Sequence, residues 1–232
     1  PNFSSNTRNP KNIKFLVFHY TGMKSEKKAI DKLTDENSKV SSHYFIKRNG
    51  EIILMVPDLY IAWHAGVSKW KKFNSLNKYS VGIEISNRGH GNGYQHFSKK
   101  QFQSLIGISK LIIKRHKINK CNVLGHSDIA YNRKKDPGEK FPWKQLAKKN
   151  IGIWHNLNNK KLSKLRGIKL IKNEDKKFLK KLSKIGYFVK KKSILQRKNL
   201  IIAFQRRFRS ELINGKSDRE CLIIANKLSK LS

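Results

Sequence analysis

Short apolar runs alternate with longer amphipathic segments through the first half of the chain, and this alternation most restricts the fold. The runs IKFLVFHYT (13–21), SVGIEIS (80–86) and CNVLGH (121–126) have the length and residue types of buried strands. Segments 27–36 and 98–116 carry apolar residues at helical spacing. The sequence therefore predicts an α/β fold with a mixed central β-sheet flanked by helices.

A β-hairpin is predicted within residues 41–57, SSHYFIKRNGEIILMVP. Two apolar strands flank Asn49 and Gly50, and an Asn-Gly pair supplies the positive φ angles that a tight hairpin turn needs. The two strands should therefore lie side by side in the sheet.

The pattern changes after Trp143, and from about Asp175 the sequence becomes helical. Apolar stripes at 178–182, 194–209 and 219–231 predict a small three-helix bundle. A chain of 232 residues can build one sizeable core and a small second one. We predict a first domain over residues 1–164, with its core motifs in 13–150 followed by a linker, and a second domain over 165–232.

The formal net charge is +37, which predicts an anionic partner such as nucleic acid, an acidic surface or a polyanionic polymer. A general compositional bias is the alternative, because Lys, Asn and Ile are abundant throughout the chain.

Cys121 and Cys221 fall in different predicted domains, so we expect buried free thiols and no disulfide.

No part of the chain approaches the roughly 18 uninterrupted apolar residues of a membrane span. The sequence starts at Pro1 without a charged segment followed by an apolar one. We therefore expect a soluble chain whose export signal, with any lipid anchor it carried, was removed or never existed.

Two histidines stand at the ends of predicted strands, His19 and His126. Strand ends in an α/β sheet face the crevice where sites are built. Imidazole and carboxylate groups are ordinary zinc ligands, and three of them with a water make an open, catalytic zinc site. Asp136 follows in the loop after His126 and is the natural third ligand. A structural role for each histidine is the alternative, since the chain lacks short His and Cys spacings typical of zinc sites.

Glu84 lies within the apolar strand 80–86, where an unpaired buried carboxylate is costly unless it serves a function. Lys134 comes two residues before Asp136, where an ammonium group could stabilise a developing oxyanion. The alternatives are a locally satisfied or edge-strand glutamate and a solvated lysine.

Five motifs occur in an order that resembles one enzyme family. They are FHYTG (18–22), SSHYFIKRNGEI (41–52), AWHAGVS (62–68), SVGIEISN (80–87) and GHSDIAYNRKKDPGEKFPW (125–143). This series is similar to the zinc-dependent N-acetylmuramoyl-L-alanine amidases, whose fold is shared by peptidoglycan recognition proteins and phage lysozyme-like amidases. The chain departs from many of these relatives at Tyr131 and Asn132, where a Pro is common.

The resemblance implies one Zn²⁺ per chain, bound by His19, His126 and Asp136, with Glu84 and Lys134 as the catalytic pair. It implies hydrolysis of the amide between the lactyl group of N-acetylmuramic acid, or its 1,6-anhydro form, and L-Ala of the stem peptide. The Glu at position 84 is similar to the residue at the matching position of the bacterial amidases that take muropeptide fragments.

Four further residues lie in motifs that resemble segments lining the family's cleft. We assign substrate contacts to His43, Trp63, His64 and Asn87, with a core role for Trp63 as the alternative.

Residues 199–228 resemble the end of a three-helix peptidoglycan-binding domain that is often attached to such amidases. This arrangement is similar to that of outer-membrane lipoprotein amidases and implies a periplasmic enzyme, with cytoplasmic recycling less favoured.

We expect a monomer whose partners are peptidoglycan or muropeptide fragments, and no nucleic acid. A non-catalytic peptidoglycan-recognition module and a basic nucleic-acid-binding protein are the competing functions.

Overall fold

The computed structural model describes residues 3–189 and 193–231 of the chain, and within them it contains nine β-strands and eight α-helices. The strands are β1 (Phe3–Thr7), β2 (Phe15–Tyr20), β3 (Tyr44–Ile46), β4 (Ile52–Leu54), β5 (Tyr60–Ala62), β6 (Lys69–Trp70), β7 (Phe73–Asn74), β8 (Ser80–Ile85) and β9 (Val123–Gly125). The helices are α1 (Glu26–Thr34), α2 (Lys99–His116), α3 (His126–Ile129), α4 (Trp143–Ala147), α5 (Asn159–Ser163), α6 (Lys172–Ile185), α7 (Ile194–Phe208) and α8 (Arg219–Leu228).

A five-stranded sheet lies at the centre of the described residues, in the spatial order β4-β3-β8-β2-β9. β2 is parallel to β8 and β9, β3 is parallel to β8, and β4 is antiparallel to β3. The predicted mixed sheet is confirmed, as is the hairpin of β3 and β4 around Asn49 and Gly50. The short strands β1, β5, β6 and β7 were not predicted; they form two separate two-stranded pairs.

The two faces of the sheet are covered by different layers. Leu16 and Phe18 of β2 contact a core that includes the apolar side of α2. Phe15 and Val17 belong to a second core, which includes apolar side chains of α6, α7 and α8. Because side chains alternate along a strand, His19 lies on the same face as Phe15 and Val17. The end of β2 therefore presents His19 on the side of the sheet opposite α2.

α6, α7 and α8, with the described residues between them, form the predicted three-helix bundle, which we call the helical unit. Its buried apolar side chains form one continuous cluster with those of the second sheet face. The segment predicted as a linker is packed as well, since Ile151 and Ile153 are buried. The boundary between residues 164 and 165 stays a prediction, and these contacts show that the two parts share a core.

Both cysteines, Cys121 and Cys221, are buried free thiols, which confirms the expectation. Among the described residues, none of the helices combines the length and the apolar character that crossing a membrane requires.

A buried carboxylate ties the end of α2 to the segment before β5. Asp58 accepts hydrogen bonds from His116 at 2.7 Å, Tyr44 at 2.8 Å and Arg115 at 2.9 Å. Burial opposes ionisation of Asp58, but these three hydrogen bonds outweigh it and lower its pKa to about 2. The ionised carboxylate is thus favoured in the folded state.

We expect Asp58 to contribute to stability above about pH 4 and to lose that contribution as the pH falls towards 2. Its pKa is lower in the folded chain than in the unfolded one, so the unfolded state takes up protons first. The shift corresponds to about 2 kcal/mol at neutral pH. Urea unfolding of the Asp58→Asn variant and the unchanged protein from pH 7 to pH 2.5 should show a stability difference that narrows as the solution is acidified. A difference that stays constant with pH would contradict the assignment.

Candidate metal centre and active site

Three side chains from two strand ends and one loop converge at the carboxyl edge of the sheet. Nδ1 of His19 lies 2.9 Å from Nδ1 of His126 and 3.1 Å from Oδ2 of Asp136. Nδ1 of His126 lies 2.9 Å from the same Asp136 oxygen. All three residues are buried, and among the described residues they form a group with the composition of a metal site.

The hydrogen bonds around this group fix which atoms face each other. Nε2 of His126 lies 3.1 Å from the carbonyl oxygen of Ala65, so Nε2 carries the proton and Nδ1 a lone pair. Burial, followed by the proximity of His126, lowers the pKa of His19 to about 4, so this imidazole is neutral at pH 7. Burial alone would raise the pKa of Asp136, but His126 and His19 outweigh it and hold that pKa well below its usual range.

A chain of hydrogen bonds beneath His19 assigns its proton. The hydroxyl of Ser80 donates to the carbonyl of Leu76 at 2.6 Å, so its oxygen accepts from Nε2 of His64 at 3.1 Å. Nδ1 of His64 then accepts from Nε2 of His19 at 3.0 Å, which leaves a lone pair on Nδ1 of His19. Two imidazole lone pairs and a carboxylate oxygen therefore meet, an arrangement of three acceptors that a cation would stabilise. The donor set fits zinc.

The ring of His64 rests against β8 at Gly82. A Cβ atom on Gly82 would lie 2.5 Å from Cγ of His64, closer than packed atoms approach. The missing side chain at position 82 is thus what lets His64 lie under His19.

Glu84 lies directly beside His19, because these two residues are register partners in β8 and β2. Its side chain is partly buried, and Oε2 is a buried atom without a hydrogen-bond partner among the described residues. Burial, and then the negative charge of Asp136, raises the pKa of Glu84 to about 8, while Lys134 acts in the opposite direction. A carboxyl group with this pKa can exchange a proton near neutral pH.

Glu84, Lys134 and two of the candidate ligands, His126 and Asp136, line one cleft, which has a volume of about 440 Å³. The third candidate ligand, His19, contacts both of these ligands. Three further basic residues also line the cleft: Lys32, Arg133 and Lys135. The cleft therefore combines a metal-type donor set, a carboxyl group and a positively charged wall.

The loop that carries Asp136 is tied back to the helix that carries His126. The backbone N–H of Ser127 donates to the carbonyl of Asp136 at 2.8 Å. On the far side of the loop, the hydroxyl of Tyr94 donates to the carbonyl of Pro137 at 2.7 Å. These bonds restrict the position of Asp136 from both sides.

Comparisons with known proteins give this site a family. A sequence model of the N-acetylmuramoyl-L-alanine amidase family matches residues 9–139, more than half of the chain. The N-acetylmuramoyl-L-alanine amidase AmiD of Escherichia coli is 38% identical over 229 residues, covering 93% of this chain and 82% of AmiD. This chain is a member of the N-acetylmuramoyl-L-alanine amidase family.

Solved structures agree over nearly the whole chain. The complex of E. coli AmiD with anhydro-N-acetylmuramic acid-L-Ala-D-γ-Glu-L-Lys superimposes with a TM-score of 0.84 at 36% identity, covering 98% of this chain and 91% of that one. AmpDH3 of Pseudomonas aeruginosa in complex with anhydromuramic pentapeptide gives a TM-score of 0.83 at 30% identity, with 98% and 95% coverage. The predicted family, fold class and enzyme class of this amidase are confirmed.

The four residues predicted to contact substrate fall into two groups in this amidase. Trp63 is partly buried and lines the cleft, so the contact assigned to it stays a prediction. His64 also borders the cleft, but its two ring nitrogens are bonded to His19 and Ser80. Burial and the neighbouring histidines and Arg8 lower the pKa of His64 well below its ordinary value.

Neither His43 nor Asn87 is among the residues that line the cleft, and the substrate contacts assigned to both stay predictions. His43 is fully buried, where its Nδ1 accepts from the N–H of Gly82 and its Nε2 lies 3.1 Å from the carbonyl of Tyr60. Burial, and then the charge of Arg8, lowers the pKa of His43 to about 3. Asn87 is buried too, and its side chain is bonded to the backbone of the loop 87–95.

Two residues of the cleft wall were missed by sequence reasoning. Arg133 donates from Nη2 to the carbonyls of Ala65 and Val67, which places its guanidinium at the cleft rim. His90 lines the cleft between the hydroxyl of Tyr20, 2.8 Å away, and Oε2 of Glu139, 3.0 Å away. Adjacent Lys134 gave a weak signal for Arg133, whereas the loop around His90 gave none.

Proposed function

We propose that this amidase is a one-zinc enzyme that hydrolyses the amide between the lactyl group of N-acetylmuramic acid, or its 1,6-anhydro form, and L-Ala of the stem peptide. Zn²⁺ would be held by Nδ1 of His19, Nδ1 of His126 and Oδ2 of Asp136. The observation that carries the proposal is the convergence of these three acceptors within 3.1 Å of one another beside Glu84.

The metal would act as a Lewis acid on the amide carbonyl and on water, and it would counter the charge of Asp136 and so lower the pKa of Glu84. Glu84 accepts the proton that the attacking water loses and delivers it to the departing nitrogen of L-Ala. The C–N bond breaks, leaving a lactyl carboxylate on the sugar and a free amine on the peptide. The ammonium of Lys134 stabilises the negative oxygen that develops on the carbonyl.

The charge of the cleft supports a muropeptide substrate. Lys32, Arg133, Lys134 and Lys135 line it, and stem peptides carry free carboxylates that such a wall attracts. The ligands bound in the related AmiD and AmpDH3 complexes are anhydromuramic peptides, which supports the anhydro form as a substrate here. We place the working enzyme in the periplasm, where peptidoglycan lies.

The test is product analysis. Purified protein is incubated with intact and anhydro muropeptides, first as purified, then after chelation, and then with zinc restored, and the products are identified by mass spectrometry. Release of free stem peptide that stops on chelation and returns with zinc supports the proposal. Binding of muropeptides without any release of peptide would favour a recognition module and remove the roles of Glu84 and Lys134.

Replacement of Lys134 by Met should lower kcat by about 10²- to 10³-fold, in line with the loss of one oxyanion donor. KM should change little, because the ammonium acts mainly on charge that develops in the transition state. Lys135→Met is a matched control, since Lys135 also lines the cleft but has no role assigned at the reacting carbonyl. Equal loss of kcat in both variants would contradict the role of Lys134.

A further inference from the structure

The metal ligand His126 begins a helix of only four residues, α3, which follows the three-residue strand β9. A helix this short has little stability of its own, so its position depends on the side chains that hold it. The contacts of α3 therefore decide where the imidazole of His126 lies.

Asp128, two residues after His126, is the centre of these contacts and is 1% exposed. Its Oδ2 accepts from the backbone N–H of Gly125 at 2.7 Å, which closes the turn between β9 and α3. Its remaining partners come from the helical unit. The hydroxyl of Tyr187 donates to Oδ1 at 2.6 Å, and Nη1 of Arg207 donates to Oδ2 at 2.5 Å.

Arg207 holds the turn at both ends. Its Nη2 donates to the carbonyl of Val123, the first residue of β9, at 2.9 Å. Its guanidinium also lies 4.1 Å from the ring centre of Trp143, at the end of the loop that carries Asp136. Arg207 and Tyr187 are themselves 4% and 2% exposed, so water does not replace these bonds.

A second link joins the same region to the helical unit. Tyr131, which follows α3, donates its hydroxyl to the carbonyl of Phe188 at 2.7 Å. One residue within α3, Asp128, and one that follows it, Tyr131, are thus bonded to the segment 187–188, which follows α6.

We propose that Arg207 and Tyr187 are positioning residues for the metal ligand His126, so that the helical unit is a structural part of the metal centre. This inference rests on the proposed metal site. It assigns the helical unit a role within the chain that is separate from any binding of the cell wall. Groups that orient a metal ligand typically change metal affinity about 10- to 100-fold when removed.

The test compares Tyr187→Phe and Arg207→Met with Arg166→Met. Tyr187→Phe keeps the ring and removes only the hydroxyl. Arg166→Met is a matched control, because Arg166 forms a two-point ion pair at 2.7 and 2.9 Å with Glu220, which lies in α8 and not in α3. The affinities for Zn²⁺, Co²⁺ and Ni²⁺ are measured on metal-free protein by competition with a chromogenic chelator. The absorption spectrum of the Co²⁺ form and the free energy of unfolding in urea are measured on the same variants.

We expect about 10-fold weaker metal binding in Tyr187→Phe and up to about 100-fold in Arg207→Met, with an altered Co²⁺ spectrum. Arg166→Met should lose stability but keep its metal affinity and spectrum. On a soluble muropeptide, kcat at limiting zinc should fall in the first two variants and be restored by excess zinc. Unchanged affinity and spectrum in folded Tyr187→Phe and Arg207→Met would overturn the inference.

Arg207→Lys covers the case in which Arg207→Met does not fold. Lysine keeps the charge beside Asp128 but offers no second nitrogen for Val123. The metal affinity of Arg207→Lys should therefore lie below that of the unchanged protein and above that of the double variant that combines Tyr187→Phe with Arg207→Lys. A failure of the zinc proposal gives a different result. If the unchanged protein binds Co²⁺ or Ni²⁺ but not Zn²⁺, the zinc assignment fails and the same variants still test the positioning. If it binds none of the three ions, both proposals fail.

Discussion

Replacement of Glu84 by Gln is expected to lower kcat by about 10³-fold, within the range usual for the loss of a general acid–base group. Gln has nearly the same shape as Glu but cannot take a proton from water or return it to the departing amine. The carboxyl group lies beside His19 in the sheet, and burial raises its pKa to about 8. The measurement is the initial rate of stem-peptide release from a soluble muropeptide at several substrate concentrations.

Two controls make that result specific to proton transfer. KM and the metal content of Glu84→Gln should stay close to those of the unchanged protein, since Glu84 contributes no atom to the candidate metal-ligand group. Retention of more than a tenth of kcat, with bound metal, would contradict the role of Glu84 as acid and base.

Replacement of Asp136 by Ala should remove the bound metal and lower the rate of hydrolysis by more than about 10³-fold, since a catalytic metal supplies several kcal/mol of transition-state stabilisation. Asp136 contributes the only carboxylate of the candidate donor group in the described residues, and its oxygen lies within 3.1 Å of both imidazole nitrogens. Metal content by plasma mass spectrometry and peptide release are measured on the same sample.

Asp31→Asn is the control for Asp136→Ala, because Asp31 is an exposed carboxylate on α1. It should keep both metal and activity. An Asp136→Ala protein that keeps one equivalent of zinc would show that the ligand set is wrong, even if its activity were lost.

The strands that carry the site were predictable because their short runs consist almost entirely of apolar, β-favouring residues. His19 lies near the end of β2 and His126 directly follows β9, and parallel strands bring their carboxyl ends to one edge. His43 shows where this reasoning stops. Its backbone N–H bonds to the carbonyl of Gly82, two residues before Glu84, so it lies deeper along the sheet than the cleft. Residue type alone does not reveal that depth.

The contacts between the helical unit and α3 were beyond sequence reasoning for a different reason. The chain has 52 Lys and Arg residues, and nothing in their spacing distinguishes Arg207 from the others. Its partner Asp128 lies 79 residues away along the chain. Such a pairing depends on how helices dock on the sheet, which periodicity within each helix does not determine.

The close approach of His64 to Gly82 limits the order in which this chain can change during evolution. A methyl group at position 82 would collide with the imidazole ring, 2.5 Å away, while that ring is bonded to His19. A larger residue at position 82 is therefore acceptable only in a lineage that has already lost His64 and found another support for His19. Position 64 can therefore change before position 82, but position 82 cannot accept a larger side chain while His64 is present.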